Sequence, residues 1–507
     1  MRADPRGFGG RRFYRRVALA MSDPMGQDEY LRRVRPVGWE NPPPKRVYDL
    51  AVLGAGPAGL AAVDSAARRG LSVALIERDR LGGNSLNAGS VPSKAIIRTA
   101  RVHSAIRDLE ELGASVSIAA PADFGAVMAR MRRIRTRIAE YHSVERLRAR
   151  GVDVFFCSAS FIGPNALLAG NTPLSFKKAI VATGARPRPC DIEGLGQIAH
   201  LTSESIFDIA ALPTRLGVIG GGPLGCELAQ AFCRLGSRVT IVQNDPKFLP
   251  QEERDAAELL SLSLSRDGVE TRLNTTVVGA RLENDEKFLD TLENDSKSSI
   301  AVDDILLSIG RVANVETLGL ELAGIRVDPG EGIKIDDFLC TTNADVYAAG
   351  DVCKPHKFTN IAEASGRIAA LNAWGRRTER QSHLAIPWCT YCDPEIAHIG
   401  MNLVEAWQRS IPAKSFTVMM QDVDRAITDG QNDGFVKIYV REGTDEILGA
   451  TIVAARASEM INEMSVVMSA GIGMHKLATI LHSYPAQSDA IRLAALAFVR
   501  NRPPSPW

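Results

Sequence analysis

The order of apolar and polar positions predicts one supersecondary unit twice over. In YDLAVLGAGPAGLAAVDSAARRGLSVALIERD, the apolar run from Tyr48 reads as a buried strand. A small-residue helix follows to about Arg69, and then a second strand that ends at Glu77. RLGVIGGGPLGCELAQAFCRLGSRVTIVQND repeats strand, helix and strand and ends in Gln243 and Asn244. A third pattern, Met128 to Arg150, sets Met128, Met131, Ile134 and Ile138 at helical spacing, which predicts one helix with a packed apolar stripe and a solvated basic face. LENDEKFLDTLENDSKSS reads as a polar hairpin. No apolar run approaches the ~18 residues a membrane span needs, so no span is expected.

At 507 residues the chain is long enough for several domains, each with its own core. Hydrophobic residues make up 45% and the net charge is +1, so bulk charge selects no partner. The basic Met128 to Arg150 stretch is therefore read as a solvated helix face, with no nucleic-acid partner expected. Eight cysteines are too sparse for a disulfide scaffold, which points to a reducing compartment, the cytoplasm. Residues 1–45 differ from the rest. Arg2, Arg6, Arg11, Arg12, Arg15 and Arg16 precede only a short apolar stretch, Val17 to Met21. That composition fits a transit peptide, a tail, or an upstream start with Met21 or Met25 as the true first residue, and a disordered basic extension is the expectation. Asn41 to Lys45, NPPPK, reads as a stiff linker.

The chemistry lies at the strand-to-helix turns. Gly54-x-Gly56-x-x-Gly59 lets backbone N–H groups approach a pyrophosphate at a helix N-terminus, and Glu77 is placed to accept from a ribose hydroxyl. Gly220-x-Gly222-x-x-Gly225 offers the same cradle again. Two cradles imply two nucleotides: a held FAD and a visiting NADH or NADPH, with hydride passing between them. Gln243 stands where an acid selects NAD and a base selects NADP, and it leaves that choice open.

With further motifs, the chain resembles the class I pyridine nucleotide-disulfide oxidoreductases, in the mercuric-reductase-like and dihydrolipoyl-dehydrogenase-like branch. KAIVATGARP contains Thr183 and Gly184 and resembles the strand where the family's chain leaves the flavin domain. SIGRVANVE, with Gly310, resembles its return, and ADVYAAGDV resembles the strand whose aspartate, here Asp351, bonds the flavin ribityl chain. IPWCTYCDPEIAHIG and DVDRAITDGQNDGFVKI resemble the interface domain. The resemblance implies an α/β fold with two Rossmann-like dinucleotide-binding domains and a C-terminal α+β dimerisation domain. The expected division is an FAD domain at 46–188 and 312–383, an NAD(P) domain at 189–311 and an interface domain at 384–507. It also implies a homodimer in which Thr479 to Ala495 completes the partner's active site, and Lys94 and Glu227 as a pair beside the flavin on the nicotinamide side.

GGNSLNAGSVPSK matches the family's redox stretch except that Ser85 and Ser90 stand where it has cysteines. Serine oxygens have no reversible two-electron couple, so disulfide chemistry is excluded at this turn. Where the disulfide reductases have a histidine before proline, this chain has Tyr484, with Asp489 at the acid position and His482 two residues earlier. Cys389 and Cys392 form a lone CxxC, and no second pair stands at metal spacing, so no metal is expected. The expected activity is an FAD-dependent NAD(P)H oxidoreductase that passes electrons directly to a small-molecule acceptor: a quinone, oxygen, a metal ion or NAD(P)+. The alternatives are a non-catalytic FAD-binding scaffold or sensor, and a disulfide- or mercuric-reductase-type enzyme using other cysteines.

Overall fold

The computed structural model describes residues 24–107, 113, 122–353 and 357–501. The arginine-rich positions Arg2 to Arg16 and the stretch Val17 to Met21 lie outside them. In the first sheet, strands Val152–Phe156, Val73–Glu77, Tyr48–Leu53 and Thr172–Val181 lie side by side and parallel. Val346–Ala348 also pairs parallel on Thr172–Val181. Both faces are covered, so the central strand is apolar from Leu50 onward: Leu50 and Val52 enter one core, Ala51 and Leu53 the opposite one.

The second sheet runs Glu270–Arg272, Arg238–Val242, Arg215–Ile219, Asp304–Leu307 and Leu201–Thr202, again all parallel. Ala185–Pro187 pairs antiparallel with Arg311–Ala313 where the chain passes out of the first sheet and back. A five-stranded antiparallel sheet, from Pro387–Thr390 to Ile447–Ala454, packs with helices Ala457–Ser469 and Asp489–Arg500 in the last domain. The architecture is thus α/β, two doubly wound units followed by an α+β domain.

Three local expectations are corrected. Residues 24–45 do not form a disordered extension: Pro24–Val34 is a helix with Tyr30 and Val34 buried, and the Asn41 side chain accepts from Phe156 N–H (2.8 Å). Met128 to Arg150 is not one helix. Phe124–Ala139 ends in a 3₁₀ turn, and Ser143 caps a new helix, Val144–Ala149. Its basic face is not wholly solvated either, since Arg135 is buried with its guanidinium 4.6 Å from the Tyr30 ring centroid. The 282–299 stretch is more than a polar hairpin. It forms the middle of a three-stranded sheet, Thr275–Glu283, Glu286–Glu293 and Ser296–Val302, with Leu289 fully buried. Asn-Asp pairs at 284–285 and 294–295 supply the positive φ its two tight turns require.

Helix Pro223–Leu235 joins the second sheet to the last domain. Arg234 bridges Asp267 and Asp393 at 2.8 Å each, and both Arg234 and Asp267 side chains are 7% exposed. Removing the cation strands a buried carboxylate. Arg234→Met is expected to cost about 3 kcal/mol in urea unfolding. An unchanged midpoint would show that this bridge does not hold the two domains.

Candidate active site

Each glycine cradle exists because a side chain has no room there. A Cβ on Gly59 would sit 1.9 Å from the Gly54 carbonyl oxygen, and one on Gly54 (φ +103°) 2.4 Å from that of Ala182. Gly225 and Gly220 repeat the arrangement, at 2.3 Å from Gly220 O and 2.5 Å from Ser308 O. Gly56 and Gly222 precede helices Pro57–Ala67 and Pro223–Leu235, and neither helix start has a side-chain cap. Both first turns therefore present N–H groups suited to a phosphate. Glu77 accepts from Ala55 N–H (2.7 Å) and Asp79 N–H (2.8 Å), and burial pushes its carboxyl above the usual range. Gln243 does the same for the second cradle with an amide oxygen, accepting from Gly221 N–H (2.8 Å). Its Nε2 is left to donate.

Around the first cradle, Thr183 donates to Asn314 O (2.8 Å), and Asn314 N–H returns to Gly184 O (2.9 Å). Gly310 (φ +94°) accepts from Arg188 N–H. Burial pushes the Asp351 carboxyl up, and Arg311 opposes this from 2.7 Å. An uncapped helix start, a Cβ-free cradle and the half-buried Asp351 carboxylate fit FAD. The second cradle opens on a cavity of about 550 Å³ lined by Gly220, Gln243, Asn244, Ser308, Phe358 and Trp388 among others, which fits the visiting nucleotide. Phe358 stacks on Trp388, with centroids 6.5 Å apart and planes 11° from parallel.

Lys94 and Glu227 meet at 2.8 Å. Glu227 also accepts from Tyr391 N–H (2.9 Å), and the Lys94 ammonium lies 4.2 Å from the Tyr391 ring centroid. The serines are joined by a residue that the sequence did not single out. Thr359, first in helix Thr359–Trp374, donates to Ser85 Oγ (3.1 Å) and lies 3.3 Å from Ser90 Oγ. No local pattern marks a threonine so distant in sequence. His482, Tyr484 and Asp489 have partners within the last domain: Glu463 (2.6 Å), Asp424 (2.7 Å) and Arg492 (2.7 Å). Within one protomer, no hydrogen bond among the described residues ties them to the serine turn. Leu481 and Tyr484 beside them are 95% and 75% exposed. Burial pushes the Cys389 and Cys392 thiols well up, and no disulfide joins any of the eight cysteines.

Two family models match the chain: pyridine nucleotide-disulphide oxidoreductase over residues 48–368, and the dimerisation domain of the same enzymes over 386–495. A mercuric reductase of Staphylococcus aureus is 29% identical over 456 residues, 90% of this chain and 83% of that protein. A dihydrolipoyl dehydrogenase of Thermus scotoductus is 31% identical over 467 residues, 89% and 97%. Among solved structures, the Cu(II) complex of the HOCl-induced flavoprotein disulfide reductase RclA from Escherichia coli is 26% identical. It matches with a TM-score of 0.79 over 89% of this chain and 99% of that one. The chain belongs to the pyridine nucleotide-disulphide oxidoreductase family, whose members are FAD-dependent enzymes that use NADH or NADPH.

Glu252 is the one charged side chain lining the nucleotide cavity among the described residues. Burial pushes its carboxyl up to about 7, the Trp388 indole hydrogen bond and Arg254 pull it down, and Glu253 adds to the rise. It is uncharged below that pH and anionic above it, while the nucleotide pyrophosphate stays anionic throughout. Calorimetric titration with NAD+ is expected to show binding about fivefold weaker at pH 8 than at pH 6. Glu252→Gln should flatten the difference. Equal pH dependence in both proteins would assign it elsewhere.

Proposed function

We propose that the chain is a homodimeric NAD(P)H oxidoreductase that passes electrons from its flavin directly to a small acceptor of the quinone class, with no redox-active disulfide between them. The observation that carries this reading is the hydroxyl trio of Ser85, Thr359 and Ser90. It occupies the turn where the family resemblance sets a cysteine pair. Bound flavin supplies two-electron exchange with nicotinamide and acceptor. The Gly220 cradle and Gln243 hold the nucleotide, and Lys94, fixed by Glu227, provides positive charge at the nicotinamide side of the flavin. Hydroxyl hydrogens suit a carbonyl oxygen such as a quinone presents. They suit a soft metal ion poorly, because such ions select thiolates.

The exposed flank around Leu481 and Tyr484 supports the dimer, with a second copy laying Thr479 to Ala495 near the serine turn. A reductase working through Cys389 and Cys392 is disfavoured, since burial suppresses both thiolates.

Anaerobic dithionite titration is expected to consume about two electrons per bound FAD, with no long-wavelength thiolate-to-flavin band part-way. The double substitution Ser85→Cys with Ser90→Cys should raise uptake toward about four if the turn holds disulfide geometry. Four-electron uptake by the unmodified protein would put another cysteine pair in the circuit and overturn the reading.

A further inference from the structure

Helix Pro24–Val34 precedes the family match, which begins at residue 48, yet it reaches the serine turn. Tyr30, 1% exposed, donates its hydroxyl to Asn87 Oδ1. Asn87 is buried and closes the five-residue helix Gly83–Asn87 that carries Ser85. Its amide nitrogen donates to the carbonyls of Gly83 (2.8 Å) and Leu81 (3.2 Å), and its own carbonyl accepts from Arg135 (3.4 Å). Arg135 in turn lies over the Tyr30 ring. Alongside, Leu81 N–H donates to Val34 O (3.0 Å), and Arg35 donates to the carbonyls of Arg78 and Asp79.

So short a helix cannot hold itself by its own hydrogen bonds. Its entrance adds freedom, because Gly82 and Gly83 both have positive φ. Asn87 is the fixed point, and its amide hydrogens are spent inside the turn. The buried amide oxygen still needs a donor, and Tyr30 supplies it from outside the turn, locking the amide and the turn it ties together. We propose that Tyr30 is a positioning residue for the electron-exit side of the site: through Asn87 it sets the turn that places Ser85 against Thr359. The segment ahead of the family module is then a working part of this site. The kinetic half of the argument rests on the quinone reading above. The Lys94–Glu227 side lies outside this chain of contacts, so the effect is one-sided.

The test uses the full chain loaded with FAD and Tyr30→Phe, which keeps the ring and its Arg135 contact and removes one hydroxyl. Hydrogen exchange at residues 83–90 should accelerate by about tenfold, as the loss of one buried hydrogen bond implies. Anaerobic reduction by NADH should stay within about twofold, while reoxidation by a benzoquinone probe should slow by about fivefold. Asn87→Ala should reproduce both changes, and it decides the matter if Tyr30→Phe does not fold. The double variant should be no worse than either single one, as expected for groups that act as a unit. Unchanged exchange at 83–90, additive effects in the double variant, or a lower Tm with both half-reactions intact would overturn the proposal. Faster exchange in the variant, with benzoquinone inert toward both proteins, would support Tyr30's role and sink the quinone reading instead.

Discussion

A single buried carboxylate decides where the parts of this molecule meet. Glu227 is 5% exposed, and an anion in that position is tolerable only when its oxygens are satisfied. One oxygen takes the Lys94 ammonium from the helix behind the serine turn, the other takes the Tyr391 N–H from the last domain. Glu227 itself rides on the helix of the second glycine unit. Further along that helix, Gln230 both donates to Asp393 O and accepts from Asp393 N–H, and Arg234 reaches the Asp393 carboxylate. Residues 227, 230 and 234 share one helix face, so the helix carries a polar seam that docks the edge of the last domain. Strand Pro387–Thr390, which brings Trp388 and Cys389 to the nucleotide cavity, is aligned by that seam.

The two glycine units solve one backbone problem with different electrostatics. Glu77 and Gln243 end equivalent strands, and each accepts from an N–H of its own glycine loop at nearly the same distance. Glu77 brings a carboxylate whose burial needs the Ala55 and Asp79 N–H groups, which suits a group held permanently. Gln243 brings none, and the cavity beside it contains one carboxylate and no cation among the described residues. Under the proposed function, a nucleotide that enters and leaves there is held by backbone and dipoles instead of an ion pair, so its dissociation strands no buried ion pair.

What was legible in the chain was what is local. A glycine motif between two apolar runs is written within about thirty residues, and both cradles could be read with their terminal Glu77 and Gln243. The family resemblance added Lys94, Glu227 and Asp351, whose partners lie far off in sequence. Thr359 was not legible, because its bearing on Ser85 and Ser90 arises only when the start of a distant helix is folded against the turn. Tyr30 was hidden by its neighbours: with arginines at 32, 33 and 35 the segment was read as part of a disordered basic extension, although Tyr30 and Val34 are buried. The break after Ala139 did carry a signal, the Ser143 cap, but the basic periodicity running past it concealed it.

In the proposed function, the hydroxyl trio changes the timing of electron transfer as well as its chemistry. A cysteine pair holds two electrons as thiols after the nicotinamide has gone, so donor and acceptor need never be present together. Three hydroxyls hold none. They bring three hydrogens to a cluster whose two internal contacts use two, which leaves one to donate outward. Thr359 spends its hydrogen on Ser85, so Ser90 donates to Thr359 and the free hydrogen is that of Ser85, in helix Gly83–Asn87. Under the proposed function, an acceptor arrives while the flavin is still reduced, binds without a covalent bond and leaves unattached. That places selectivity in the shape and hydrogen bonding of the turn, and hence in whatever keeps Ser85, Thr359 and Ser90 in register.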